Sequence, residues 1–389
     1  MILGQYVAAQ LLSYVPDRTF RRFVDKYIGN YKIRKLSCWS QFVGIFFGQL
    51  TFRESLSQIV VCLKSRERDL YHFGIRNPIA KSTLAEANES RNWKIYRDLA
   101  LKLIERARIL YRNEDHQVDI ENTIYALDSS TIDLCLNLFP WAKFRRTKGA
   151  VKLHTLIDLR GPIPTFIEIT TGKVSDVKVL DSLDIEPDAF YVMDRAYVDF
   201  RRLYRFTSLG AFFVTRAKRG MRMRSCFSRV VDKASGLRCD QDILLKGRNS
   251  SKDYPEKLRR IAYWDEDTKK RFVFLTNNFH LDAKIIPLIY KQRWQIELFF
   301  KWIKQHLRIK KFYGTSQNAV QTQVWIGVCV YVLVAIVKRE LNINHSVGTI
   351  LDILSINPFS KVPLVELLTN SECVNPHPGS SNQLEFNYL

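Results

Sequence analysis

Up to about residue 120 the apolar positions recur with a helical period, over residues 37–50, 55–64 and 93–111, and no alternating pattern competes. This predicts a helical N-terminal unit over residues 1–120, in which Thr83 and Glu86 read as a capping box opening a helix. From residue 123 the pattern changes. Residues 123–127 form a β-branched, apolar run that stops at Asp128, which places this acid at or near a strand end. Residues 151–159 alternate, with Val151, Leu153, Thr155, Ile157 and Leu159 on one face, and Gly161-Pro162 turns the chain into a strand over residues 165–170. Ser175 is placed to cap a short helix over residues 177–183. A second fully apolar run, residues 189–193, ends on Asp194, and a further strand covers residues 211–215.

Three meandering strands, a helix and a strand carrying a second acid follow the order of an RNase H-like core, which puts Asp128 and Asp194 on neighbouring strands. The fold class is therefore α/β, with a mixed sheet. About a hundred residues lie between Asp194 and Glu297, too many for a simple connection, so a unit is inserted there. Residues 216–276 read as β-hairpins, with turns at 234–236 and 265–270. The catalytic unit then spans residues 121–340. Residues 324–337 are the longest apolar run, too short to cross a bilayer and better read as a core helix. Residues 341–389 form a C-terminal segment, helical over 358–368, with a Pro-, Gly-, Ser- and Asn-rich tail that is either disordered or part of a dimer contact.

The polar residues of the segment 290–304 carry the sharpest signal. At about 100° per residue, Tyr290, Arg293, Glu297 and Lys304 fall within an arc of roughly 60° on one helix. Pro287 sets the start of that helix close to residue 286, or bends it. A salt-bridged surface stripe is the ordinary reading. The other is a grip on a phosphodiester beside a metal ion, with Asp128, Asp194 and Glu297 as oxygen ligands for two divalent cations. Taken singly, each strand-end acid is more simply a strand-terminating polar residue.

Composition favours the second reading. A net charge of +21, from 60 Lys plus Arg against 39 Asp plus Glu, calls for a polyanionic partner, and nucleic acid comes first. Arg21, Arg22, Lys26, Lys32, Arg34 and Lys35 cluster with Tyr27 and Tyr31 interleaved. Lys143, Arg145, Arg146, Lys148 and Lys152 form a second basic patch, and Arg216, Lys218, Arg219, Arg222 and Arg224 a third. A solvated basic face is the alternative at each. Seven scattered cysteines without a Cys-x-x-Cys pair argue against a disulfide framework or a zinc site. Such a set fits a reducing cytoplasm, and residues 1–5 lack the basic region of a signal peptide.

Tyr290, Arg293, Glu297 and Lys304 match the YREK signature of the bacterial insertion-sequence-four family of DDE transposases in residue type and spacing, and the chain resembles that family over most of its length. Asp128, followed by Ser129 and Ser130, resembles its first catalytic acid, and Asp194 in Asp-Arg-Ala-Tyr its second, with Ala196 where a glycine is common. The resemblance implies cut-and-paste transposition with Asp128, Asp194 and Glu297 holding two Mg2+ ions, for which Mn2+ can substitute. It implies that Tyr290, Arg293 and Lys304 contact DNA phosphates. Trp294 would stack on a base flipped from the duplex when a hairpin forms, core packing being its other reading. The partners implied are transposon-end inverted repeats, bound by the N-terminal unit, and target DNA, handled by a homodimer on paired ends in the bacterial nucleoid. Glu297 and the basic residues are then not expected to form a simple ion-pair network. Two rivals remain: an RNase H-like nuclease using the same carboxylates, and a catalytically silent DNA-binding regulator derived from a transposase.

Overall fold

The computed structural model describes residues 4–114, 118–306 and 312–369. Six helices come first: α1 (Val7–Leu12), α2 (Asp17–Lys26), α3 (Cys38–Leu50), α4 (Leu56–Lys64), α5 (Lys81–Ser90) and α6 (Lys94–Tyr111). Ser37 and Ser55 cap α3 and α4 by accepting the amides of Ser40 and Gln58, which satisfies donors a helix start leaves open. The capping box expected at Thr83 does not form. The chain turns helical at Lys81, after an extended Ala80 that makes no side-chain cap, and this buries Leu84 and Ala87.

Then follow β1 (Ile124–Leu134), β2 (Gly149–Asp158), β3 (Ile163–Thr171), β4 (Phe190–Met193), α7 (Phe200–Ser208), β5 (Phe212–Arg216), β6 (Met223–Arg229), β7 (Leu237–Leu245), α8 (Arg248–Asp253), β8 (Leu258–Asp265) and β9 (Lys270–Thr276). They make one nine-stranded sheet in the order β3-β2-β1-β4-β5-β9-β8-β7-β6. The first three strands are an antiparallel meander, and β4 and β5 run parallel to β1. The RNase H-like order is therefore present. The hairpins β6 to β9 add to it rather than forming a separate layer, because β9 pairs with β5 from Val214↔Thr276 to Arg216↔Phe274.

Two details differ from expectation. β1 does not end at Asp128 but continues to Leu134 along β2, with Asp128 opposite Thr155. What ends there is its pairing with β4, at Leu127↔Met193. The link before β4 is a 3-10 turn over Asp176–Ser182, and Ser175 contributes its backbone carbonyl to Lys178 rather than a side-chain cap.

The remaining helices are α9 (Ile285–Lys291), α10 (Trp294–His306), α11 (Gln317–Glu340), α12 (Val347–Ile356) and α13 (Leu364–Thr369). Helix α13 starts later than expected. Residues 358–363 instead run beside α1, where Val7 and Ala8 donate to Ser360 and Pro358, and Pro363 disfavours helix in the residue before it. The tail beyond residue 369 lies outside the described residues.

Helix α11 is the shared core. It has 24 residues and a window of mean hydropathy 2.0, long and apolar enough to cross a membrane, which corrects the estimate from residues 324–337 alone; that window lies wholly inside the protein. It packs on α3, α5, α6 and α12 and reaches β3. Tyr111 donates to Ala335 at 2.9 Å, Tyr331 to the Pro162 turn at 3.0 Å and Gln49 to Gln323 at 2.6 Å. The helical region and the sheet thus close over one apolar core.

A buried ion pair fixes the added hairpins. Arg259 on β8 forks onto both oxygens of Asp240 on β7 at 2.8 Å and donates to the Leu281 carbonyl at 2.6 Å, just ahead of α9. Both side chains are under 5% exposed. Asp240→Ala would strand the guanidinium and is expected to cost about 3–5 kcal/mol in urea unfolding; a loss below about 1 kcal/mol would show that Arg229, also near Asp240, or water compensates.

Candidate active site at the edge of the parallel strands

The acids stand where the β1–β4 pairing stops. Asp128 and Asp194 each follow a buried apolar stretch, so each carboxyl is partly exposed where the parallel pairing ends, the place at which open α/β sheets hold ligands. The third comes from α10, which packs against β1.

The segment 290–304 is not one helix. It breaks at Gln292 and Arg293, where the amides of Arg293, Gln295 and Ile296 bond three residues back, to Tyr290, Gln292 and Arg293. This tighter turn takes Arg293 out of a continuous stripe and turns it toward β1. Its guanidinium donates to Asp128 Oδ2 at 2.9 Å and to Glu297 Oε1. Arg216, at the end of β5, donates to Asp194 Oδ1 at 2.7 Å, and the nearly buried Tyr290 hydroxyl reaches the same oxygen at 3.4 Å. Arg216 and Arg293 each lie 5.8 Å from the centre of the Tyr290 ring.

The structure therefore brings Asp128, Asp194, Glu297, Tyr290 and Arg293 together. Lys304 is exposed further along α10, and Trp294 is half-buried at its first residue; neither joins this hydrogen-bonded cluster. Contrary to expectation, the signature acid and arginine form an ion-pair network, because three carboxylates at one edge need compensating charge and the arginines are within reach. Sequence reading missed the grip of Arg216 on Asp194. It also missed Asp176 behind β1, which the turn after β3 brings in, and read its partner Lys152 only as one cation of a basic patch.

All the acidic donors are carboxylate oxygens, which suits a hard divalent cation. Among the described residues no three of His, Cys, Asp and Glu stand together as a cage. A guanidinium lies between Asp128 and Glu297 in the position of a stand-in cation. Carboxylate oxygens already gathered around a cation are donors of the type that a divalent ion takes.

Burial pushes the Asp128 carboxyl up to about 6, against the pull of Arg293. Burial also pushes Asp194 up, but Arg216 overrides it and holds that carboxyl below its usual range. From 3.8 to about 6 the unfolded chain releases the Asp128 proton before the folded protein does, so this group makes stability fall as pH rises through that window. Asp194 acts oppositely: its contribution is present above 3.8 and lost below. Asp128→Asn is expected to gain stability relative to wild type between about pH 4 and about pH 6.5 in metal-free urea titrations. An unchanged difference would mean that Asp128 titrates normally.

Residues 120–333 match the family model described as Transposase DDE domain, and residues 4–76 match one described as Domain of unknown function (DUF4372). A putative transposase of Sinorhizobium fredii is 34% identical over 219 residues, 55% of this chain and 60% of that one. A probable transposase for an insertion sequence element of Geobacillus stearothermophilus is 29% identical over 57% of this chain and 59% of that one. This chain thus spans about 60% of the length of these curated relatives. Among solved structures, a piggyBac transposase synaptic complex with hairpin DNA aligns over 98% of this chain and 87% of that one, at 12% identity and a TM-score of 0.46, too loose a likeness to carry an argument. The match over residues 120–333, which takes in both strand acids and the acid of α10, places this chain in the DDE transposase domain family.

Proposed function

We propose that this chain is the transposase of an insertion sequence, which cuts DNA at the element's ends and joins them to a target with divalent metal ions held by Asp128, Asp194 and Glu297. The observation that supports it most is the convergence of these three acids, from segments 66 and 103 residues apart in sequence (194 − 128 and 297 − 194), on one partly exposed edge beside two arginines.

Members of this family generally use divalent metal ions, and Mg2+ is the ion proposed here, with Mn2+ able to replace it. When bound, the metal would activate the attacking oxygen and offset charge on the phosphoryl group during in-line displacement. The protein's part follows from its geometry. Arg293, released from Asp128 and Glu297, and Arg216 beside it have guanidinium forks that suit phosphate oxygens. Tyr290 lies against both through its ring and bonds Asp194 through its hydroxyl. Lys304 meets the backbone further along α10, and Trp294 stacks on a flipped base. The basic helical region, residues 1–120, binds the terminal inverted repeats. The hairpins of residues 216–276 support a DNA hairpin intermediate, and residues 341–389 contribute to a homodimer on paired ends.

The test is incubation of the protein with its element's end DNA and Mg2+ beside an Asp194→Ala control, with products resolved on a denaturing gel. Nicks and hairpins in wild type alone are expected. Binding without cleavage, in Mg2+ and in Mn2+, would overturn the catalytic reading in favour of a silent DNA-binding protein.

A further inference from the structure

Behind Asp128, on the opposite face of β1, lies a polar network that the proposed chemistry does not use. Ser129, the next residue, donates from Oγ to Asp176 Oδ1 at 2.8 Å, while its amide bonds Asp128 Oδ1 at 2.8 Å. Lys152 on β2 holds the same Asp176 oxygen at 3.0 Å and donates to the Val174 carbonyl at 3.0 Å. His154, fully buried and opposite Ser129 in the β1–β2 register, has Nδ1 3.7 Å from that oxygen and Nε2 2.9 Å from Thr170 Oγ1. The Tyr197 hydroxyl, 1% exposed, faces Ser129 and lies in the field of Asp128, Asp176 and Asp194.

The place of this network explains its use. β1 loses its β4 neighbour at Leu127↔Met193, one residue before Asp128. Beyond that point β1 is paired on the β2 side alone. The gap is filled by two 3-10 turns in contact with each other, Asp176–Ser182 and Arg195–Tyr197. The Ser129–Asp176 bond ties the first of these turns to the unsupported stretch of β1, and Lys152 ties it to β2.

We propose that Asp176 is a positioning residue which, through Ser129, fixes the backbone that carries Asp128 when Arg293 leaves for phosphate and the metal takes its place. It touches neither substrate nor metal. Its contribution is to keep Asp128 at a set position when the front-side anchor is withdrawn, as outer-shell partners do for metal ligands.

This inference rests on the metal-dependent reading above, so its test separates the two. Mn2+ binding to the full chain on end DNA is measured by electron paramagnetic resonance, and Mg2+ dependence by single-turnover cleavage. Proteins compared are wild type, Asp176→Ala, Ser129→Ala, the double variant and Asp128→Asn. Asp176→Ala and Ser129→Ala are each expected to weaken Mn2+ binding and raise the half-saturating Mg2+ concentration by about tenfold. The double variant should be no worse than either single one, since both break the same link. End-DNA affinity should stay near wild type in both single variants, and so should the metal-free melting point of Ser129→Ala, while Asp176→Ala should melt a few degrees lower with the loss of its Lys152 ion pair. A further variant, Asp176→Glu, should regain part of the Mn2+ affinity that Asp176→Ala loses. Losses that multiply in the double variant, or metal binding unchanged in both single variants, would overturn the inference. So would a collapse of melting point and DNA binding together, which would make Asp176 merely structural. If Asp128→Asn itself cleaves and binds Mn2+ normally, the metal-dependent reading fails instead.

Discussion

Glu297→Gln is expected to lower metal-dependent end cleavage by roughly a thousandfold or more, while end-DNA affinity stays within about twofold. Glutamine keeps the shape of the side chain and an oxygen that can still accept from Arg293, so α10 should stay in place. What it removes is charge. A carboxylate that helps hold a divalent ion contributes several kcal/mol to stabilising charge on a phosphoryl group, and about 4 kcal/mol corresponds to a thousandfold. Single-turnover rates on labelled end DNA measure it. Cleavage at the wild-type rate would remove Glu297 from the ligand set and leave the α10 acid as a partner of Arg293 only.

Arg293→Ala should separate two properties that usually fall together. Without metal, Asp128 and Glu297 lose the guanidinium they share, and the loss in stability is about 1–3 kcal/mol once the partial exposure of both acids is allowed for. With the two carboxylates freed, added Mg2+ should raise the melting point of the variant more than that of wild type, by mass action on the folded state. Cleavage should nevertheless fall about 100- to 1,000-fold, because in the proposed mechanism Arg293 is a donor to the reacting phosphate. Melting curves with and without Mg2+, run beside cleavage rates, check both halves. A variant that melts like wild type and responds equally to Mg2+ would show that Arg293 does not compete with the ion.

Much of the site could be read along the chain because its signals are local. Asp128 and Asp194 each close a run of four or more apolar residues, and such runs mark strands covered on both faces. The meander, β5 and the added hairpins were equally legible from their turns. The break at Gln292 and Arg293 was not, because helical spacing alone cannot tell a continuous helix from two joined by a tight turn. Nor was the extension of the core sheet through β9, since strand pairing across sixty residues leaves no periodic trace. Arg216 read as one more cation in a basic stretch, and only the parallel pairing of β5 with β4 sets it against Asp194.

The position of α11 bears on how the molecule comes into being. The faces that α3, α5, α6 and β3 turn toward it stay open to water until residue 340 has been synthesised. The helices made first therefore cannot finish folding as the ribosome advances, and the three acids have emerged before the core beneath their sheet is filled. A chain broken off before α11 would keep every acid of the site and still present two uncovered apolar surfaces, the state most prone to aggregation. Stopped early, synthesis should yield an insoluble chain in place of a partly active one.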